Sequence, residues 1–155
     1  MNDLKRILLV EDDPNDVELT LEALADHNLA NEVVVVDDGE EALEYLYRRG
    51  KFRMRTNAQP AVVLLDLKLP KVSGLEVLRT LKADADLRTI PVVILTSSRE
   101  DRDVVESYQL GVNAYVVKPV QFQEFVAAIK HLGIFWAIIN EPPPGSTKTA
   151  KSIAP

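Results

Sequence analysis

Residues 61–70 read AVVLLDLKLP: an apolar run, a single acid at Asp66, then a Leu-Lys-Leu-Pro exit. No polar residue alternates through the run, so it fits a strand covered on both faces rather than one face of an open sheet. A carboxylate at the end of such a strand is costly to bury without a partner. The rest of the chain must supply what stands beside it.

The same kind of run recurs along the sequence. RILLVED (6–12), NEVVVVDDG (31–39), IPVVILTSS (90–98) and AYVVKP (114–119) each read as a short buried strand ending in polar residues. Amphipathic segments separate them. From Asn15, Val17, Leu21, Leu24 and Ala25 fall at helical spacing, with Asp13 or Asn15 as cap and Pro14 in the first turn. Ala42, Leu43, Leu46 and Tyr47 mark a second helix, and SGLEVLRTLKAD (73–84) a third. EDRDVVESYQLG (100–111) is a polar helix that Gly111 can end, and the last helix begins near Val120 or Gln121. The basic RRGKFRMRTNAQP (48–60) has no clear period and reads as a loop. Strand–helix pairs in regular order predict an α/β fold, a doubly wound five-stranded parallel sheet with helices on both faces.

The totals agree with one soluble domain. The chain has 155 residues, 46% hydrophobic and 27% charged, ordinary values for a globular protein. A net charge of −6 argues against a nucleic-acid binder, which normally carries a basic surface. No cysteine is present, so disulfides and thiolate metal sites are excluded. The apolar stretch at the N-terminus is too short for a signal peptide, and no segment approaches the ~20 apolar residues needed to span a bilayer. These features predict a cytoplasmic protein with no membrane contact.

In a doubly wound parallel sheet, ligands bind beyond the carboxyl ends of the strands. Glu11, Asp12 and Asp13 follow the first strand, Asp37 and Asp38 the second and Asp66 the third. Thr96 and Ser97 follow the fourth, and Lys118 the fifth. Taken singly, Asp13, Asp37 and Asp38 read equally well as polar residues where the chain leaves the core. The set is harder to explain in that way, because neighbouring carboxylates repel and partial desolvation raises their proton affinity. A hard divalent cation removes the conflict, and an all-oxygen site with few carboxylates suits Mg2+. Cation, lysine and hydroxyl together meet the needs of a transferred phosphoryl group. The chain has neither a G-x-x-x-x-G-K-[ST] loop nor G-x-G-x-x-G after the first strand, so a nucleotide cradle is missing. His27 and His131 lie in or beside helices, away from the strand ends. The chain therefore suits a phosphoryl acceptor better than a histidine donor.

VEDD after the first strand, LLDLKLPKVSG around the third, ILTSS at the fourth and YVVKP at the fifth resemble the receiver domains of two-component response regulators. The resemblance spans roughly residues 5 to 130 and implies a flavodoxin-like fold of receiver type. It implies Asp66 as phosphoacceptor from a partner sensor histidine kinase, with Lys118 and Thr96 binding phosphoryl oxygens. It implies Mg2+ held by Asp12, Glu11, Asp66 and the backbone carbonyl of Lys68, with Asp12 ranked above Glu11, which acts through water. Pro119 matches a position where the peptide bond is cis, an isomer that helps aim the lysine inward. Ser97 is small and leaves the acceptor open to a bulky donor. Lys68 and Ser98 match positions that tune phosphoryl lifetime, although Lys68 reads first as a solvated lysine, as most lysines are. Thr96 and Tyr115 match a pair that moves on phosphorylation; otherwise Tyr115 is a core aromatic with a surface hydroxyl.

The output of such a switch is sought after the last helix, where AAIKHLGIFWAIINEPPPG carries more apolar residues than one stripe needs. Ile129, Leu132, Trp136 and Ile139 make one stripe, and Ile134, Phe135 and Ile138 fall off it. The excess predicts a homodimer through this C-terminal helical region, with Ile134, Phe135, Trp136 and Ile138 as candidates. The alternative is a break at Gly133 and a fold back onto the domain. The predicted domain thus runs over 1–141, with 142–155 a flexible tail. No separate output domain is expected, so the chain reads as a stand-alone receiver. With its long 48–60 loop it resembles phytochrome-associated response regulators, implying a phytochrome-type kinase as partner. A phosphate sink or phosphorelay shuttle remains open. An enzyme such as an aspartyl-phosphate phosphatase is disfavoured, because Lys68 stands where that chemistry places a second acid.

Overall fold

A computed structural model describes residues 6–25, 32–97, 101–112 and 114–131. His27, Ser98, the dimer candidates Ile134, Phe135, Trp136 and Ile138, and the 142–155 tail lie outside the described residues. Within them the chain alternates strictly: β1 (Arg6–Val10), α1 (Pro14–Ala25), β2 (Glu32–Val36), α2 (Gly39–Tyr47), β3 (Val62–Asp66), α3 (Gly74–Ala83), β4 (Val92–Thr96), α4 (Asp101–Gln109), β5 (Ala114–Val117) and α5 (Phe122–His131). All strand pairs are parallel, in the spatial order β2-β1-β3-β4-β5. The doubly wound five-stranded sheet expected from the sequence is what forms, and strand order reverses between β1 and β3.

β3 is central and every residue in it is buried, which answers the absence of alternation in its sequence. Its side chains still alternate in direction. Val63 and Leu65 join Val77, Leu78 and Leu81 of α3 and Ala42 and Leu46 of α2. Val62 and Leu64 join Leu24 of α1 and Phe125 and Ile129 of α5 on the other face. Parallel strands in register end together. Asp66 pairs with Leu95, and Thr96 pairs with Val117 one step before Lys118.

The helix starts decide several polar residues. Asp13, not Asn15, caps α1: its Oδ1 accepts the Asn15 N–H at 2.8 Å, with Pro14 as the first helical residue. Asp38 caps α2 by accepting the Glu41 N–H at 2.8 Å, while Glu41 accepts the Asp37 N–H at 2.7 Å. Ser73 caps α3 through Glu76 N–H. The ordinary explanation of Asp13 and Asp38 is therefore sufficient.

The 48–60 segment is a loop, as its lack of period predicts, with internal structure. It contains a 3-10 turn at Gly50–Phe52, and the Arg55 guanidinium lies 4.1 Å from the Tyr45 ring centre. Arg55 also donates to the Tyr45 carbonyl at 3.0 Å, to Asn57 and to Gln59. It adds a charged donor to a carbonyl at the end of α2 that also accepts the Arg48 N–H at 3.3 Å.

One close approach fixes the loop after Asp66. A Cβ on Gly74 would lie 2.1 Å from the Asp66 carbonyl oxygen, and the Gly74 N–H bonds the Leu67 carbonyl at 3.0 Å. Gly74→Ala is expected to cost about 1–3 kcal/mol in denaturant unfolding through this overlap. Unchanged stability would show that the loop does not rest on the Asp66 backbone.

Candidate functional site

Glu11 leaves β1 with its N–H bonded to the Val36 carbonyl of β2 at 3.1 Å, so its backbone continues the sheet. Its side chain is buried, whereas the neighbouring Asp12 is exposed at the rim. Asp66, the last residue of β3, is also buried. Carboxylate oxygens of Glu11, Asp12 and Asp66 all lie within 4.8 Å of one another. The site residues read from the sequence thus meet at one sheet edge, although more than fifty positions separate β1 from β3.

Lys118 enters from β5. Its N–H donates to the Thr96 carbonyl at 2.7 Å, and the Lys118–Pro119 peptide is cis. The Nζ donates to Glu11 Oε1 at 2.9 Å, Asp16 Oδ2 at 2.9 Å and Asp66 Oδ2 at 3.2 Å. An ammonium has three donors, and these three carboxylates use them all.

Burial pushes the Glu11 carboxyl up to about 7; the Lys118 hydrogen bond and the Asp13 N–H oppose it, and the Asp66 charge adds to it. Burial works against the charge on Lys118, but hydrogen bonds to Asp16 and Glu11 and the charge of Asp66 raise it above the usual lysine value. Glu11 is thus a hard oxygen donor whose charged form is costly with the lysine alone. A divalent cation between Glu11, Asp12 and Asp66 would remove that cost, so this donor set fits such an ion.

Thr96 is buried at the end of β4, and Ser97 beside it is exposed. Tyr115 is half-buried; its ring meets Tyr108 of α4 edge-on, centroids 5.7 Å apart. Thr96, Tyr115, Ser107 and Leu67 line one narrow cleft under α4, too tight for a water molecule. Lys68 is exposed, and its N–H donates to Asp66 Oδ1 at 3.3 Å. Asp37 is exposed on a groove shared with Glu11 and Asp12, while Asp13 and Asp38 serve as caps.

Asp16 was not among the residues read from the sequence. Its signal was present: with Pro14 opening α1, Asp16 lies in the first turn, five positions after Glu11 and at the same sheet edge.

A family model described as the response regulator receiver domain matches residues 7–130. The chain is a response regulator receiver domain. Response regulator Rcp1 of Synechocystis sp. is 38% identical over 135 residues, covering 87% of this chain and 90% of Rcp1. The bacteriophytochrome response regulator AtBRR is similar with a TM-score of 0.83 and 63% identity, over 90% of this chain and all (100%) of that one. RtBRR, another bacteriophytochrome response regulator, gives 0.81 and 67%, over 94% of this chain and 87% of that one. The Mn2+-bound form of Rcp1 gives 0.72 and 36%, over 91% of this chain and 99% of that one. Receiver domains of this family are signalling modules that bind a divalent metal and work with a histidine kinase. Among the described residues, no helix of this receiver is long and apolar enough to cross a membrane.

Asp12→Asn is expected to weaken Mn2+ or Mg2+ binding on the order of tenfold or more, as loss of even an outer-shell partner commonly does. Calorimetric titration reads this directly; an unchanged affinity would contradict the ligand role.

Proposed function

We propose that this receiver accepts a phosphoryl group on Asp66 from a phosphohistidine of its partner kinase. The carrying observation is the half-buried Lys118 ammonium beside Asp66, 3.2 Å from its Oδ2, at an edge that also holds Glu11, Asp12 and Thr96. In the transfer an Asp66 oxygen attacks phosphorus and an O–P bond forms. The P–N bond breaks and its electron pair stays on the imidazole nitrogen, which takes up a proton from solvent water. Water later attacks the acyl phosphate, releasing inorganic phosphate and restoring the Asp66 carboxylate.

The protein's part is mainly placement and charge. Lys118 binds one phosphoryl oxygen as an ammonium, and the Thr96 hydroxyl donates to another. Glu11, Asp12, Asp66 and the Lys68 carbonyl would hold Mg2+, which when bound supplies positive charge against the phosphoryl oxygens. Lys68 and Ser98 tune access of water to the acyl phosphate. Thr96 moves toward the phosphoryl group, and Tyr115 follows into the space it leaves. Contacts made in only one of two states bias the equilibrium between them. The narrow cleft shared by Thr96 and Tyr115 supports that coupling.

The similarity to bacteriophytochrome response regulators favours a phytochrome-type kinase as the donor. The chain works in the cytoplasm as a signalling protein, with no turnover beyond its own phosphorylation and dephosphorylation. Residues 1–141 form the receiver with its C-terminal extension, and 142–155 a tail. Ile134, Phe135, Trp136 and Ile138 pair two copies, through which the switch is read. Service as a sink or shuttle uses the same Asp66 chemistry.

Incubation with acetyl phosphate and Mg2+ is expected to add one phosphoryl mass, localised to Asp66, and Asp66→Asn is expected to abolish it. An adduct elsewhere, or none on the wild type, would overturn the assignment.

A further inference from the structure

Three carboxylates share the Lys118 ammonium, and they are not equivalent. Glu11 and Asp66 are almost fully enclosed, with side chains 1% and 6% exposed, whereas that of Asp16 is 27% exposed. Glu11 and Asp66 also belong to the group of acids that can meet a metal ion; Asp16 does not. Asp16 stands on α1, a different element from either, and meets Lys118 at 2.9 Å, closer than Asp66 does. It therefore has no part in the bond-making atoms yet holds the residue that would serve them.

We propose, on the basis of the phosphoacceptor reading above, that Asp16 is a positioning residue that holds Lys118 in the unphosphorylated receiver and competes with the phosphoryl group for its ammonium. With all three donors of Lys118 in use, a phosphoryl oxygen gains the lysine only by displacing one acceptor. Asp66 gives up its own carboxylate charge to the acyl phosphate, and of the two acids that stay carboxylates Asp16 leaves more cheaply. It is the most exposed of the three, so water can take the place of Lys118. It also sits in the first turn of α1, where the helix N-terminus favours a negative charge without a lysine. Glu11 has neither advantage, being buried and in the ligand group. Asp16 thus stays a competitor for the ammonium after acceptance, and its pull on Lys118 limits how firmly the phosphorylated state is held.

A bland role is also available to Asp16: an acid in a first helical turn stabilises its helix whether or not it touches a lysine. The two roles separate in binding. Beryllofluoride, a phosphoryl mimic that docks on an aspartate, is titrated at saturating Mg2+ into the full chain and three variants. Asp16→Asn, nearly isosteric, is expected to bind it about two- to fivefold more tightly, the worth of a partly exposed ion pair. The lifetime of the Asp66 phosphoryl group should lengthen in the same sense. Asp16→Glu, which keeps the carboxylate, should return affinity toward the wild-type value. Glu18→Gln removes the same charge from an exposed position two residues along α1 and should leave affinity unchanged. A helix-stabilising role alone would lower the melting temperature of Asp16→Asn without moving the affinity, and that result overturns the proposal. An equal gain in Glu18→Gln also overturns it, because the effect would then be distant charge rather than position. If the wild type takes up no beryllofluoride, the phosphoacceptor reading fails and this proposal falls with it. Uptake by the wild type with an identical Asp16→Asn curve rejects the role of Asp16 alone.

Discussion

The arrangement depends on one ammonium placed among three carboxylates. Glu11, Asp16 and Asp66 come from the end of β1, the first turn of α1 and the end of β3, and Lys118 reaches all of them from β5. Buried acids at such spacing would repel one another or take up protons if left alone. Burial raises the Glu11 carboxyl to about 7 even with the lysine present. The ammonium keeps the pocket charged without closing it, since Asp12 stands open at the rim beside the same oxygens. A site balanced in this way has a reason to bind a further cation and a reason to hold a phosphoryl group.

The sheet makes that balance reproducible. Parallel strands held in register bring their carboxyl ends to one edge, so residues distant in sequence arrive together. Lys118 is tied to β4 through the Thr96 carbonyl, and Glu11 to β2 through the Val36 carbonyl. The loop after Asp66 is pressed back on its own strand by Gly74, where no side chain fits. Strong hydrophobic burial on both faces therefore serves the chemistry indirectly: it fixes the backbones whose polar ends must meet.

How much of this could be read beforehand depended on whether one segment carried the information. The strands were legible because their apolar runs are unbroken, and Asp66 because it is the one acid ending a fully buried run. Glu11, Asp12, Thr96 and Lys118 were legible because each ends a strand whose neighbours are fixed by topology. Asp16 was not, since its importance comes from which way the first turn of α1 faces, set by the Asp13 cap and Pro14. Asp13 or Asn15 served equally as cap on paper, and only the Asn15 N–H bond to Asp13 decides between them. The 48–60 segment is the loop expected, but its internal contacts were hidden for a related reason. Its arginines look solvated in sequence, but Arg55 spends its donors on the Tyr45 carbonyl, Asn57 and Gln59, partners no local pattern reveals.

The central claim is that Lys118 is the charge that holds the acidic edge together, and a Mg2+ titration of Lys118→Met tests it most directly. Loss of the ammonium leaves Glu11, Asp16 and Asp66 without their shared cation, so the variant should bind Mg2+ more tightly than the wild type and gain more thermal stability from it. Equal or weaker Mg2+ binding in the variant would contradict the account, because the carboxylates would then owe nothing to the lysine.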